Sequence, residues 1–189
     1  MARSRRLFIS GKVYHLTQEG NNRVPVFHTD QDRDIYLEYL AHAAKLESVS
    51  IHGWCLLENQ IDLLVSADST TAISRMMSRV QGRYARAFNR IWHRSGSLWR
   101  KRFIHREVRK DSHLPSCFRH LDHLPVIRKL AGKPEDWAWS SHNALAHGRN
   151  TVFLKPHSHY MALGRTRGER QRGYRSWMNN LAPSWTRDT

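Results

Sequence analysis

The sequence predicts an α+β fold, with a small antiparallel β-sheet and helices packed on it in the order β-α-β-β-α-β-α. Three observations predict this fold. Residues 13–18 alternate and are rich in β-forming side chains, residues 49–66 hold two apolar segments around a polar turn, and residues 71–92 repeat with the period of a helix. We expect the helices to lie on one face of the sheet.

The first half of the chain is predicted to contain one helix and three strands. After the first strand, residues 20–23 break the pattern and form a loop. Thr29 or Asp30 can cap a helix that ends near Leu46, because a side-chain oxygen at this position accepts from the free N–H groups of the first turn. Two further strands follow, at residues 49–57 and 61–66.

Gln60 and Asp62 lie two residues apart at the start of the third strand, so both side chains point to one face of the sheet. Ile61, Leu63 and Val65 point to the other face, which we expect to be core. Two polar groups at the mouth of an apolar strand pair are costly unless something binds them or hydrogen-bonds to them. This pair is therefore a candidate site.

The second helix, predicted from about Thr71 to Trp92, carries arginines spaced three or four residues apart. At 3.6 residues per turn they fall within an arc of about 100°. They are Arg75, Arg79, Arg83, Arg86, Arg90 and Arg94. No acidic residue occurs between Asp68 and Glu107, whereas a solvated charged face normally mixes both signs. We interpret this arginine row as a phosphate-binding surface, with a solvated face as the alternative. Tyr84 lies on the apolar face of the same helix and is expected to be core.

Aromatic and basic residues alternate in the segment after this helix, which is predicted to begin a strand at residue 98 that runs to Val108. Such a mixture suits nucleic acid, because rings stack on bases and cations neutralise phosphates. The cations are Arg100, Lys101, Arg102 and Arg106. For Trp99 and Phe103 we favour burial in the core over stacking.

The last part of the chain is predicted to hold one helix and a basic tail. Asp111 or Ser112 can cap a helix that ends near Leu124, because Pro125 limits it. Beyond Gly148 the periodicity fades. We therefore divide the chain into a domain at residues 1–148 and a basic, partly flexible extension at 149–189, whose arginines include Arg165 and Arg167.

Net charge is +15 and unevenly distributed. Residues 1–70 carry 7 Lys/Arg and 9 Asp/Glu, against 24 and 7 in residues 71–189. One side of the molecule should therefore face a polyanion, with nucleic acid favoured over an anionic membrane and over a merely solubilising surface. No apolar run approaches the roughly 20 residues of a membrane span. Two cysteines suggest a reduced, cytoplasmic chain and leave one disulfide open.

Several blocks together resemble the REP-associated tyrosine transposases, single-tyrosine enzymes with a His-hydrophobe-His metal site and a ferredoxin-like, RRM-like fold. The blocks occur in the expected order at residues 14–23, 59–64, 83–85, 88–90, 96–99, 102–103, 121–126 and 134–141. The resemblance implies Mg²⁺ or Mn²⁺ on the two histidines and a helix tyrosine that attacks a DNA phosphodiester. It also implies a palindromic single strand, folded as a hairpin, as the substrate.

This sequence departs from the family at each catalytic position. Gln60 and Asp62 stand where the family has its two histidines, and His120 stands where it has the tyrosine. Leu124 replaces an asparagine of the same motif. No residue is therefore predicted with confidence to be catalytic or to bind a metal.

We expect a cytoplasmic, nucleoid-associated bacterial DNA-binding protein that no longer cuts or joins DNA and has no membrane partner. The arginine row, the cations after it, Arg165 and Arg167 would bind the backbone. Base contacts would come from the loop at Asn21, Asn22 and Arg23 or from the tail. One alternative is an active transposase or nickase in which Gln60 and Asp62 hold Mg²⁺ or Mn²⁺ and His120 is the nucleophile; no cofactor is expected otherwise. A further alternative is a regulatory scaffold for RNA or protein.

Overall fold

The computed structural model describes residues 6–180 and shows a four-stranded antiparallel sheet with strand order β2-β3-β1-β4. The strands are β1 (Val13–Glu19), β2 (Val49–Leu56), β3 (Gln60–Ala67) and β4 (Ile104–Glu107). The helices are α1 (Asp30–Leu46), α2 (Ala72–Ile91), α3 (Leu114–Ile127), α4 (His142–His147), α5 (Ser158–Met161) and α6 (Arg167–Asn180). This order confirms the predicted α+β class. Within residues 6–180, every helix is too short or too polar to span a bilayer.

Helices cover both faces of the sheet. One core lies between the sheet and the pair α1 and α2, and a second core lies between the sheet and α3, α4 and α6. The expectation of helices on one face is therefore wrong. The second core exists because Cys55, Leu57 and Leu64 also place apolar side chains on the face opposite α1 and α2.

The alternation of β3 separates the two cores as the sequence predicts. Ile61, Leu63 and Val65 belong to the core under α1 and α2, whereas Leu64 belongs to the core under α3. Tyr84 of α2 is 1% exposed, and its hydroxyl donates to the Val26 carbonyl at 2.6 Å. It is therefore a core residue, as expected.

The N-terminus of α1 is closed by a capping box. The Thr29 side chain accepts from the Asp32 backbone N–H, and the Asp32 carboxylate accepts from the Thr29 N–H. These two bonds satisfy donors of the first turn that have no partner within the helix. Of the two predicted caps, Thr29 is the correct one.

The predicted strand from residue 98 is wrong in its first part, because β4 contains four residues only. Residues 98–100 meet the end of β1 through isolated bonds, with the Arg100 N–H donating to the Glu19 carbonyl. A regular ladder cannot continue there, since β1 ends at Glu19 and the chain turns at Gly20. Phe103 is buried, and Trp99 is half-buried with its indole N–H bonded to the Gln81 carbonyl.

Pro125 does not end α3, which continues to Ile127. A proline removes one backbone hydrogen bond, a loss that a packed helix tolerates near its end. The Arg128 N–H donates to the Leu124 carbonyl, and the Leu130 N–H donates to the Pro125 carbonyl, so the last turn is still closed. Residues 111–113 form a short 3₁₀ turn before the helix.

The chain after Gly148 is more regular than the sequence predicts, because α5 and α6 bury Tyr160, Tyr174 and Met178 in the second core. Two helices therefore lie in this extension, whose partial flexibility stays a prediction, and residues 181–189 lie outside the described residues. The division into domains at residue 148 stays a prediction.

The outer edge of β2 is paired with chain segments from the second half of the protein. The Leu56 N–H donates to the Trp139 carbonyl, the Ser141 N–H donates to the Trp54 carbonyl, and the Lys155 N–H donates to the Ile51 carbonyl. These bonds satisfy backbone groups of a strand that has no neighbouring strand on this side.

Candidate nucleic-acid interface

Asp62 is the centre of a buried polar cluster between the sheet and α3. One carboxylate oxygen is 2.8 Å from His15 Nε2 and accepts from the Thr17 hydroxyl at 2.8 Å. The other oxygen accepts from the Gln60 amide at 2.6 Å. Thr17 lies directly opposite Asp62 in the β1–β3 register, so strand pairing brings these groups together.

These contacts keep Asp62 ionised. Burial raises the pKa of the Asp62 carboxyl, but the hydrogen bonds and charge of His15 and the bonds from Gln60 and Thr17 outweigh it and lower the pKa. Both carboxylate oxygens thus have partners from the chain itself.

The residues at this position do not fit the divalent metal that the resemblance implies. A hard cation needs oxygen atoms that are open to it. Here the Asp62 oxygens already accept from three side chains, and the Gln60 amide oxygen accepts from the Arg128 guanidinium at 3.0 Å. A cation would meet a guanidinium already in contact with the amide oxygen. No group of three or more His, Cys, Asp or Glu in residues 6–180 could hold a metal ion.

His120 is half-buried on α3, with its ring centroid 5.7 Å from that of His15. Burial lowers the pKa of His120, and so do the nearby His15 and Arg106, whereas Asp62 opposes them. The imidazole is therefore neutral at neutral pH. Gln60, Asp62 and His120 do converge at one place, as the sequence predicts.

The sequence analysis missed three members of this cluster, namely His15, Thr17 and Arg128. His15 and Thr17 are two residues apart in β1, just as Gln60 and Asp62 are in β3. Two strands with polar residues at this spacing are a signal that antiparallel pairing would join them. Arg128 gives no such signal, because its position depends on how α3 packs.

The arginine row on α2 is only partly open. Arg75 and Arg79 each donate from Nε to the Glu47 carboxylate, at 2.5 and 2.6 Å. The Arg83 guanidinium lies 4.3 Å from the centre of the Tyr39 ring, and that of Arg94 lies 5.7 Å from the Phe88 ring. All six arginines except Arg94 are exposed. Arg75, Arg79 and Arg83 thus face α1, which supplies Tyr39 and ends beside Glu47.

Glu47 neutralises one end of this row. Hydrogen bonds from Arg75, and then from Arg79, lower the pKa of the Glu47 carboxyl although burial opposes the change. The side chains of Arg75 and Arg79 remain 49% and 55% exposed. Phosphate contacts at this end must therefore compete with a carboxylate.

The other predicted DNA contacts lie in several places. Asn22 and Arg23 are exposed and adopt positive φ angles of 50° and 58°, in a short 3₁₀ turn with Asn21. Arg100 pairs with Glu19 at 2.8 Å. The other predicted cations on β4, before β4 and at the start of α6 are exposed, namely Lys101, Arg102, Arg106, Arg165 and Arg167. The Arg167 guanidinium also donates to the Gly148 carbonyl and so closes the end of α4.

The sheet has the ferredoxin-like strand order, with a basic helix on one face and a buried polar cluster on the other. The family model "Transposase IS200 like" matches residues 9–116, which is more than half of the chain. The chain therefore belongs to the IS200-like transposase family, and the resemblance drawn from its motifs is confirmed.

Two solved structures are similar to this chain. A REP-associated tyrosine transposase bound to a REP hairpin matches with a TM-score of 0.65 and 16% identity, covering 83% of this chain and 93% of that one. At this identity the match establishes the shared fold. A transposase candidate from Deinococcus radiodurans R1 matches with a TM-score of 0.45 and 17% identity, covering 64% and 94%. No curated protein sequence matches.

Proposed function

We propose that this protein binds hairpin or single-stranded palindromic DNA and neither cuts nor joins it. The observation that carries the proposal is the closed polar cluster. Asp62 and Gln60, at the family's metal-binding positions, are fully engaged by His15, Thr17 and Arg128. The exposed cations of the arginine row, in contrast, remain available to phosphates.

Two arguments support DNA as the partner. The excess of positive charge lies in residues 71–189, which include α2 and the segment before β4. The similar REP-associated transposase is bound to a REP hairpin, and the chain shares its fold. We place this action on bacterial DNA in the cytoplasm.

The chemistry of the site supports the proposed loss of cleavage. Attack on a phosphodiester requires a nucleophile and a group that neutralises the charge on the phosphorus oxygens. The His120 imidazole stands in place of the tyrosine hydroxyl, and the hydrogen bonds that engage Asp62 and Gln60 leave them no open oxygen for the metal ion that would neutralise the phosphate. Neither requirement is met by the groups that the family uses.

A direct test combines binding and chemistry on one labelled palindromic hairpin. We expect fluorescence anisotropy to show binding whose affinity falls by about tenfold or more between about 50 and 200 mM salt. We expect no covalent protein–DNA adduct with Mg²⁺ or Mn²⁺, in the wild-type chain or in His120→Ala. Weak, salt-independent binding would refute the DNA partner, and preference for RNA of the same sequence would favour the scaffold alternative.

An adduct that forms with metal and disappears in His120→Ala would refute the proposal in favour of the rebuilt transposase or nickase. His113→Ala is the matched control, because His113 is exposed and lies in the 3₁₀ turn before α3. An adduct lost in both variants would point to a structural effect of the substitutions rather than to a nucleophile.

A further inference from the structure

A pocket of about 200 Å³ lies where the loop after α4 meets α5 and the start of α6. We call it the α4–α6 pocket. Its apolar lining includes Leu154, Tyr160 and Met161, and its cations are Arg149, Arg167 and Arg170. Its lining residues, all within the described part of the chain, include no acid. An apolar pocket edged by three charges of one sign favours an occupant that is both apolar and anionic.

Arg167 is held in position by the end of α4. Its guanidinium donates to the carbonyl of Gly148, the residue that follows α4. Gly148 has a φ angle of 78°, and a side-chain carbon there would lie 3.0 Å from Arg167 Nη2. Any other residue at this position would be strained and would displace the guanidinium. The fold therefore sets where Arg167 lies.

Arg170 is held by the turn between α5 and α6. Its Nη1 donates to the Gly164 carbonyl at 3.3 Å and to the Arg165 carbonyl at 2.9 Å. A guanidinium has five N–H donors, so these bonds orient the side chain and still leave donors for a ligand. Because the two arginines are already ordered, an anion that binds them loses less side-chain entropy.

Tyr160 shows that these charges act inside the pocket. Burial raises the pKa of Tyr160, whereas the charges of Arg170 and Arg167 oppose this rise. The Tyr160 hydroxyl donates to the Leu145 carbonyl at 2.9 Å. Its polar end is therefore satisfied within the protein, and its ring adds to the apolar lining.

Exposed apolar side chains lie beside the cations. Met161 is 46% exposed, and Val152, in the loop after α4, is 95% exposed. Thr151 and Leu154, on either side of Val152 in the chain, both line the pocket. Methionine and arginine are enriched where proteins bind one another, and charged residues at the rim of an apolar centre are typical of such surfaces.

The size and lining of the pocket indicate what it holds. Its volume is below the roughly 300 Å³ at which sites for drug-sized ligands begin, so it suits a single side chain. A nucleic-acid backbone would supply the negative charge but no aliphatic group for the apolar lining. We propose that the α4–α6 pocket binds an acidic segment of a partner protein, with one aliphatic side chain inside and carboxylates on Arg149, Arg167 and Arg170. This interaction goes beyond the proposed DNA binding and does not depend on it.

The test compares two labelled, end-capped peptides in which either a leucine or a serine lies between two pairs of glutamates. Fluorescence anisotropy measures their binding. We expect the wild-type chain to bind the leucine peptide at least about fivefold more tightly, because an apolar side chain is buried. Met161→Ser should weaken the leucine peptide by about threefold and change the serine peptide by less than about twofold. Equal binding of the two peptides to the wild-type chain would overturn the proposal.

Arginine variants separate this pocket from general attraction to a basic protein. Arg170→Ala should weaken the leucine peptide by about tenfold, since a charge-assisted contact is lost. Arg149→Ala should weaken it by about threefold, because Arg149 is exposed. Arg172→Ala is the matched control, since Arg172 is exposed on α6 outside the pocket lining, and should change binding by less than about twofold. Thermal unfolding shows whether each variant is folded, and Arg149→Ala keeps the test decisive if Arg170→Ala is not. Equal effects of Arg149→Ala and Arg172→Ala would overturn the proposal.

Isotope labelling of the methionine methyl groups locates the bound peptide. We expect the NMR signal of Met161 to shift on addition of the leucine peptide. The signal of Met76, which is buried in the core under α1 and α2, should stay unchanged. An unchanged Met161 signal at saturating peptide would place the peptide elsewhere and overturn the proposal.

A labelled palindromic hairpin distinguishes a peptide pocket from a further DNA contact. We expect Arg170→Ala and Arg149→Ala each to change the affinity for the hairpin by less than about twofold, the small effect of one exposed charge. If Arg170→Ala instead weakens hairpin and peptide by the same factor, the pocket is part of the DNA surface and the partner-protein inference is overturned, while the proposed DNA binding stands.

Discussion

The two faces of the sheet carry their charges in different places. On the side of α1 and α2 the sheet itself is apolar, and the charges lie at the two ends of α1, where Asp32 closes the N-terminus and Glu47 meets the arginine row. The face under α3 buries its charges. Asp62 is buried beneath α3, and Asp122 of α3 accepts from the Tyr174 hydroxyl and pairs with His142 Nδ1, each at 2.7 Å.

On the α3 face, Asp62 has a structural role. A buried carboxylate contributes to stability only when its hydrogen-bond partners are complete. On the α3 face the partners of Asp62 come from β1 and β3, so the polar cluster ties the sheet together. On the other face, the exposed arginines can bind a ligand at little cost to the stability of the fold.

The largest expected effect is that of removing the centre of the polar cluster. We expect Asp62→Ala to lower the free energy of unfolding by about 3–5 kcal/mol, because His15, Thr17 and Gln60 lose a buried acceptor. Asp68→Ala, at an exposed position just after β3, should cost less than about 0.5 kcal/mol. Urea denaturation measures both. If both variants lose the same free energy of unfolding, the polar cluster around Asp62 does not stabilise the α3 face.

The His142–Asp122 pair on the same face should make stability depend on pH. Burial lowers the pKa of His142, but the hydrogen bond and charge of Asp122 outweigh it and raise the pKa above its usual value. A raised pKa in the folded state contributes stability that is complete below about pH 6.5 and is lost as pH rises through the folded value. His142→Gln should not show this loss of stability between pH 6 and pH 9. If urea denaturation gives the same fall in the free energy of unfolding for both proteins over this range, the prediction is contradicted.

A smaller effect is expected where Glu47 meets the arginine row. Glu47→Gln should raise the affinity for hairpin DNA by about threefold, because Arg75 and Arg79 are released toward phosphates. It should lower stability by only about 1 kcal/mol, since both arginines are half-exposed. Glu38→Gln removes the same charge from an exposed position on α1. If Glu38→Gln raises the affinity equally, the row has no special part in binding.

The smallest effect is that of divalent metal on stability. A ligand stabilises a fold only in proportion to its binding. Because the Asp62 and Gln60 oxygens are engaged by the chain, millimolar Mg²⁺ or Mn²⁺ should shift the melting temperature by less than about 1 °C. Chelator-treated protein gives the baseline. A rise of several degrees that Asp62→Asn abolishes would mean that the polar cluster opens for metal.

Local patterns were sufficient to predict β1 to β3, α1, α2 and the core position of Tyr84. They failed where long-range contacts decide the structure. The α6 helix is rich in arginine, and its sequence shows little apolar periodicity. It buries Tyr174 and Met178 and is held in place by packing against α3 and α4. Pro125 suggested a helix end, but packing of α3 carries the helix past it.

The candidate site was likewise predictable where local patterns determine it and not where long-range contacts do. The convergence of Gln60 and Asp62 follows from strand alternation, and His120 follows from the resemblance. The hydrogen bonds of His15 and Thr17 require the β1–β3 register. Arg128 is 68 residues from Gln60 along the chain, and no local pattern connects them. The oxygens of Asp62 and Gln60 already accept hydrogen bonds from the chain. This feature depends on tertiary contacts and therefore could not be predicted from local sequence.

The pairing of the outer edge of β2 has a consequence for how copies of this protein meet. Bonds to the carbonyls and N–H groups near Trp139, Ser141 and Lys155 already use that edge, so a second chain cannot add a strand there. The strand at the other end of the sheet, β4, is four residues long. A covered edge and a short edge are two means by which proteins avoid strand-to-strand aggregation. Copies of this strongly basic chain can therefore lie side by side without joining through their sheets.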